Sequence, residues 1–183
     1  MLNVGIYGSG NVGDVLEAVR KMLRIDFDCS EFLDAVRGYP EIYSLALKHV
    51  GLRPSRCVSL YYALIDSVIK QAVFLKQALN TIAKIVVKYG RRKSISGKVF
   101  YEYPSPTKLL KVSVEELKSL RLSRTKAKAL LEIAKAKAEG RLPSEAEAER
   151  NPEETIRELT KIYGVGTWTA QPSIAMISEK FTT

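Results

Sequence analysis

The chain has 183 residues, 46% of them hydrophobic, which is enough for one domain with a sizeable core. A net charge of +9 favours an anionic partner. Two cysteines, Cys29 and Cys57, rule out a four-cysteine iron–sulfur cluster, and the lone His49 argues against a histidine-based metal site. The two thiols are expected to be free, as in a reducing compartment. No apolar run approaches the roughly 18–20 residues needed to span a membrane. The start "MLNVGIYGSG" lacks the basic segment of a secretion signal, so an intracellular location is expected.

In chain order, "LNVGIYG" is the one strand candidate, followed by "GSGNVG", Gly8 to Gly13. The glycine pattern matches a dinucleotide-binding turn, and Asp26 lies 18 residues after Gly8. No alternation of strands and helices follows it, so a plain glycine turn into a helix is the better reading. "DVLEAVRKMLRI" places Val15, Leu16, Val19, Met22 and Leu23 on one helical face. Asp28 and Glu31 have capping-box spacing before a helix that ends at Gly38. A further helix ends at Gly51, and the apolar-periodic stretch Ser59–Gly90 predicts two helices with a break near Gln71–Phe74.

"RRKSISGKVFYEYPSP" reads as a basic loop. Ser105 with Pro106, Ser113 with Glu116, and Ser123 then mark three helix starts. "PSEAEAERNP" is the nearest thing to a mobile loop, and Asn151-Pro152 opens the next helix. The sum is an all-α protein of about nine or ten short helices.

The most specific motif is "LTKIYGVGTWTA", which fits the helix-hairpin-helix pattern h-x-x-h-x-G-h-G-x-x-T-A. Leu159 and Ile162 bury against the core, and Val165 packs inward to hold the turn. Gly164 and Gly166 permit a tight turn whose bare N–H groups face outward. A helix N-terminus follows directly, and its dipole and unpaired donors favour a phosphate. Such a contact positions the protein and reads no base sequence. The expected DNA contacts are Gly164, Val165, Gly166, Thr167 and Thr169. Ser123, Arg124 and Lys126 form a second candidate phosphate site at a helix start. Arg91, Arg92, Lys93 and Lys98 add salt-sensitive attraction.

The hairpin resembles that of the helix-hairpin-helix DNA glycosylases. "GLRPSR", "YYALIDSVIKQAV", "YPSPTKLL" and "LRLSRTKAKALLEIA" resemble segments of the 3-methyladenine branch. The last three are similar to that branch's "EALV.AI.GQQ.S", "FPTPEAL" and "LGLS..KA..L..LA". The resemblance implies a two-lobed, all-α domain spanning 1–183, with a short strand or turn at 1–13 and the hairpin at 159–178. It also implies extraction of a damaged base from the duplex and hydrolysis of its N-glycosidic bond, supported by an aspartate. The implied partner is double-stranded DNA with a damaged or abasic site. The resemblance also implies that such a hairpin often holds a monovalent cation through backbone carbonyls; no cofactor, metal-ligand residue or membrane is expected, and a monomer is expected.

Four departures qualify that expectation. No aspartate follows Asp66, and the chain stops at Thr183, short of where the family places its catalytic aspartate. Glu179 is the one carboxylate in the tail and falls several residues short of that place. Trp168 stands where lyase relatives carry a lysine nucleophile, which excludes Schiff-base chemistry there. The residue that fills the gap left by an extracted base maps to Ala72, or to Gln71 if the pairing slips by one. Pro172 falls inside the hairpin's second helix, where it should cost about 3 kcal/mol. Two readings stand: a hydrolytic glycosylase acting on alkylated purines, and a non-catalytic module that recognises abasic or damaged sites.

Overall fold

Helices make up nearly all the regular structure, as the hydrophobic periodicity predicts. The computed structural model describes residues 4–53 and 56–178. The chain falls into two units, Met1–Arg56 and Cys57–Thr183.

The first unit holds α1 (Val12–Leu23), α2 (Ser30–Val36) and α3 (Pro40–Lys48). Asn11 caps α1 by accepting the Gly13 N–H at 2.8 Å. Asp14 in the first turn and Arg20 and Lys21 in the last complement the helix dipole. The glycine pattern before α1 is therefore a turn into a helix. No strand forms over residues 4–8, where one was expected, and residues 2–3 lie outside the described part. The expected Asp28–Glu31 capping box also does not form. Helix α2 starts at Ser30, and the Asp28 carboxylate instead accepts the Ser30 hydroxyl and N–H. Arg53 Nη1 donates to the carbonyls of Arg24 (3.1 Å) and Phe27 (2.8 Å), tying the end of this unit to the α1–α2 connection.

The second unit runs α4 (Leu60–Lys70), α5 (Leu75–Tyr89), β1 (Arg92–Ile95), β2 (Lys98–Tyr101), α6 (Pro106–Leu109), α7 (Val114–Ser119), α8 (Arg124–Ala138), α9 (Glu145–Arg150), α10 (Pro152–Leu159) and α11 (Thr167–Ile177). Helix α4 is its axis. Leu60, Tyr61, Ala63, Leu64, Ile65, Val68 and Ile69 are buried, and α11, α8 and α5 pack around them. Each fully buried Leu or Ile contributes about 1.5–3 kcal/mol. The break predicted at Gln71–Phe74 is the α4–α5 connection.

The caps at Ser105, Ser113 and Ser123 form as expected, Ser113 in a full capping box with Glu116. Two segments differ from expectation. Arg92–Tyr101 is an antiparallel hairpin with Arg92 opposite Tyr101 and Ile95 opposite Lys98. Its two-residue turn puts Ser96 and Gly97 at positive φ (49° and 76°), the geometry that suits a twisted strand pair. The segment expected to be mobile carries α9. Ser144 and Glu147 close a capping box, Ala148 is buried, and Glu145 Oε1 accepts the Leu60 N–H at 3.0 Å, capping α4.

Helix α11 continues through Pro172 to Ile177. The proline removes one N–H, but its neighbours hold the helix on both sides. Ser173 Oγ meets Thr169 O (2.7 Å) and Ser67 Oγ (2.9 Å), and Ile174 and Ile177 are buried. The Met176 carbonyl accepts the Cys57 N–H at 2.7 Å. Tertiary packing therefore outweighs the local penalty.

Candidate nucleic-acid interface

Three elements converge on the hairpin: the end of α4, the start of α8, and the Gly164–Thr169 turn with α11. Gly164 has φ 79°, and a Cβ there would lie 2.4 Å from Ala129 Cβ on α8. Its bareness therefore serves packing against α8. Gly166 differs. Its φ is −93°, and an added Cβ would meet nothing within 4 Å. The open face belongs to Gly166 alone of the two.

Gly166 is the N-cap of α11 and no side chain caps that end. The N–H groups of Gly166, Thr167 and Trp168 have no carbonyl one turn back within the helix, whereas the Thr169 N–H donates to Gly166 O at 2.9 Å. Gly166, Thr167 and Trp168 are exposed, so they present backbone donors and one hydroxyl outward beside the positive end of the dipole. Trp168 is 88% exposed, an indole standing free on the same turn.

The other expected hairpin contacts turn inward. Val165 is 3% exposed, and its N–H donates to Ile162 O at 3.0 Å. Thr169 is 2% exposed, and its hydroxyl accepts from Gln71 Nε2 at 2.6 Å. These two residues build the turn and are not offered to a phosphate.

Gln71 also donates to Gly164 O at 3.4 Å. Its amide is committed to the hairpin, so Gln71 is not free to fill a gap in the base stack. Ala72 is exposed at φ 47°, but one methyl cannot fill the space of a base. The large exposed side chain of this connection is Phe74, 86% exposed at the N-cap of α5. The hydrophobic run there gave no sign of it, because exposure of one apolar residue at a helix boundary has no periodic signal.

Lys126 corrects a further expectation. Its ammonium donates to Ile69 O (2.9 Å) and Gln71 O (2.5 Å), capping the C-terminus of α4. Burial holds this amine below the usual lysine range. It braces the strut that holds the hairpin and does not face outward. Ser123 Oγ accepts the Lys126 N–H at 3.2 Å, and both Ser123 and Arg124 are exposed at the start of α8. In the basic segment, Glu102 pairs with Arg91 at 2.9 Å and with Lys93 at 3.5 Å. Arg92 and Lys98 remain exposed.

Helix α11, "TWTAQPSIAMI", contains no carboxylate. Asp66, the single aspartate after residue 56, pairs with Lys70 and accepts from the Tyr103 hydroxyl at 3.5 Å. Burial and the Asp66 charge push the Tyr103 phenol up. Glu179 lies outside the described residues. Among the described residues no group of three or more His, Cys, Asp or Glu could hold a metal ion, and no helix is long and apolar enough to cross a membrane.

No protein-family model matches the chain. It is similar to DNA-3-methyladenine glycosylase 1 of Schizosaccharomyces pombe, 34% identical over 139 residues, 73% of this chain and 57% of that protein. A structure of the fission-yeast enzyme in complex with abasic DNA superposes with TM-score 0.58 at 30% identity, covering 75% of this chain and 65% of the other. DNA-3-methyladenine glycosylase 2 of Escherichia coli is 29% identical over 163 residues, 84% of this chain and 52% of that protein. The 3-methyladenine DNA glycosylase structure from Archaeoglobus fulgidus matches with TM-score 0.72 at 27% identity, over 90% of this chain and 55% of the other. The chain belongs to the helix-hairpin-helix DNA glycosylases, in their 3-methyladenine branch. It spans about half the length of the curated relatives it matches. In the hairpin of this glycosylase-family chain the two glycines divide the work: Gly164 packs and Gly166 stays open.

Proposed function

We propose that this chain grips double-stranded DNA at a damaged or abasic site, and that its activity is hydrolysis of the N-glycosidic bond of alkylated purines. The observation that carries the reading is the uncapped start of α11, where Gly166, Thr167 and Trp168 are exposed and space is open at Gly166. A phosphate oxygen fits that place because it accepts several N–H bonds and its charge is favoured by the dipole. A net charge of +9 draws the duplex in. Trp168 adds a flat apolar surface for an unpaired base, worth about 1–3 kcal/mol per base stacked.

The relatives' names support the substrate class, and the fission-yeast complex supports the abasic partner. The uncapped start of α11 is a binding feature, so it supports equally a second reading, a module that binds such sites without cutting. One assay separates them. The purified chain is incubated with methylated duplex DNA, and free base and abasic sites are measured. Release supports the hydrolase. Tight binding to abasic duplex with no release supports the module. Absence of both rejects DNA damage recognition altogether.

A further inference from the structure

Helix α5, which follows the Gln71 that bonds to the hairpin, lines a groove of about 730 Å³ with Phe74 at its N-terminal end. Gln77, Asn80 and Lys84 recur at three- and four-residue spacing, so one helix face supplies them. Lys76 joins from the first turn, and Arg121 reaches in from the α7–α8 turn. No carboxylate lines this groove. Elsewhere in this unit Lys118, Arg157 and Lys161 each hold a glutamate, and Arg91 and Lys93 share Glu102. Among the described residues Lys76, Lys84 and Arg121 have no such partner. Three unpaired cations around one concavity repel each other unless an anion joins them.

Arg121 adds an independent observation. Its φ is 74°, in the left-handed region that a bulky residue adopts only with strain. The position follows the end of α7, where a glycine would sit without strain. It is also the glycine of the "LGLS" pattern that "LRLS" resembles. The chain thus accepts backbone strain to place a guanidinium at this groove.

We propose that the groove holds DNA beyond the hairpin-held phosphate, with Arg121, Lys76 and Lys84 on backbone phosphates and Phe74 stacked on a base. This rests on the DNA-binding reading above. The chemistry of the lining fits a strand: cations for phosphates, amides for sugar and base edges, and an aromatic face that tolerates any base.

The test is fluorescence anisotropy of a labelled short duplex with the whole 183-residue chain, titrated across salt concentrations. Arg121→Gly should lower the slope of log affinity against log salt by about 0.9, which is about eightfold in affinity at 0.1 M salt. Its melting temperature should match or exceed the wild type, because strain is removed. Phe74→Ala should weaken binding with no change of slope, since stacking releases no counterion. Lys135→Ala and Arg150→Ala, which remove equal charge away from the groove, should leave the slope unchanged. A wild-type slope for Arg121→Gly, or an equal loss in the two control variants, overturns the proposal. Added inorganic phosphate should not displace the duplex at matched phosphate concentration; displacement assigns the groove to a free anion and overturns the strand. Loss of binding in Gly166→Val with none in the groove variants keeps the hairpin reading and rejects the groove. The reverse keeps the groove and rejects the hairpin, and a wild type that binds no duplex rejects both.

Discussion

At the scale of single residues, the two hairpin glycines make opposite predictions. Gly164→Ala places a methyl 2.4 Å from Ala129 Cβ in a left-handed backbone. It should destabilise the fold by about 2–4 kcal/mol, read as a fall in urea midpoint. Adding Ala129→Gly should restore part of that loss by removing the clash and leaving the backbone strain. Gly166→Ala meets nothing within 4 Å and should leave the urea midpoint unchanged while weakening duplex binding across all sequences alike. Sequence-selective loss would count against a phosphate at that site. Cys57 makes a second residue-scale prediction. Burial pushes its thiol above the ordinary range, so little thiolate is present near neutral pH. Alkylation by iodoacetamide at pH 8 should be markedly slower in the native chain than in urea.

At the scale of elements, the helix starts carry a pH dependence. Hydrogen bonds from Ser113, its backbone N–H foremost, hold the Glu116 carboxyl below its usual range. The hydroxyl and then the backbone N–H of Ser144 do the same for Glu147. A carboxyl depressed by folding contributes stability that is present above its unfolded value, 4.5, and is lost as pH falls through the folded value. The melting temperature should therefore drop as pH falls below about 4.5. Glu116→Gln with Glu147→Gln should lower the plateau and flatten part of that drop. A pH profile parallel to the wild type would show that the two boxes are not coupled to stability. The remaining slope belongs to surface pairs such as Glu17 with Lys21 and Glu102 with Arg91.

At the scale of the whole molecule, the buried hydrophobic residues among those described all lie between Leu60 and Ile177. Residues 57–183 should thus fold alone, with a cooperative thermal transition and retained duplex binding. Residues 1–56, whose described part contributes no hydrophobic side chain to that buried set, should show no cooperative transition on their own. A fragment from residue 57 that melts without cooperativity would contradict this distribution of the core.

Much was legible in the residues before any coordinates. Serine and proline at helix starts, the 71–74 break and the hairpin pattern act through neighbours a few positions away, so local order reveals them. The "SEAE" capping box and the Ser-Gly turn carried local signals too, and were obscured by their charged and polar surroundings. What required the tertiary structure is the direction in which each site residue faces. Lys126 and Thr169 look like phosphate ligands in the chain and become braces once α4 and α8 meet the hairpin. Pro172 looks like a break and is carried inside a helix held by Ser67, Cys57 and the core. Arg121 looks like one more surface cation until its backbone angle and its groove are seen together. Sequence order sets which turns can form; the packing of distant helices decides which donors, cations and aromatic faces remain for DNA.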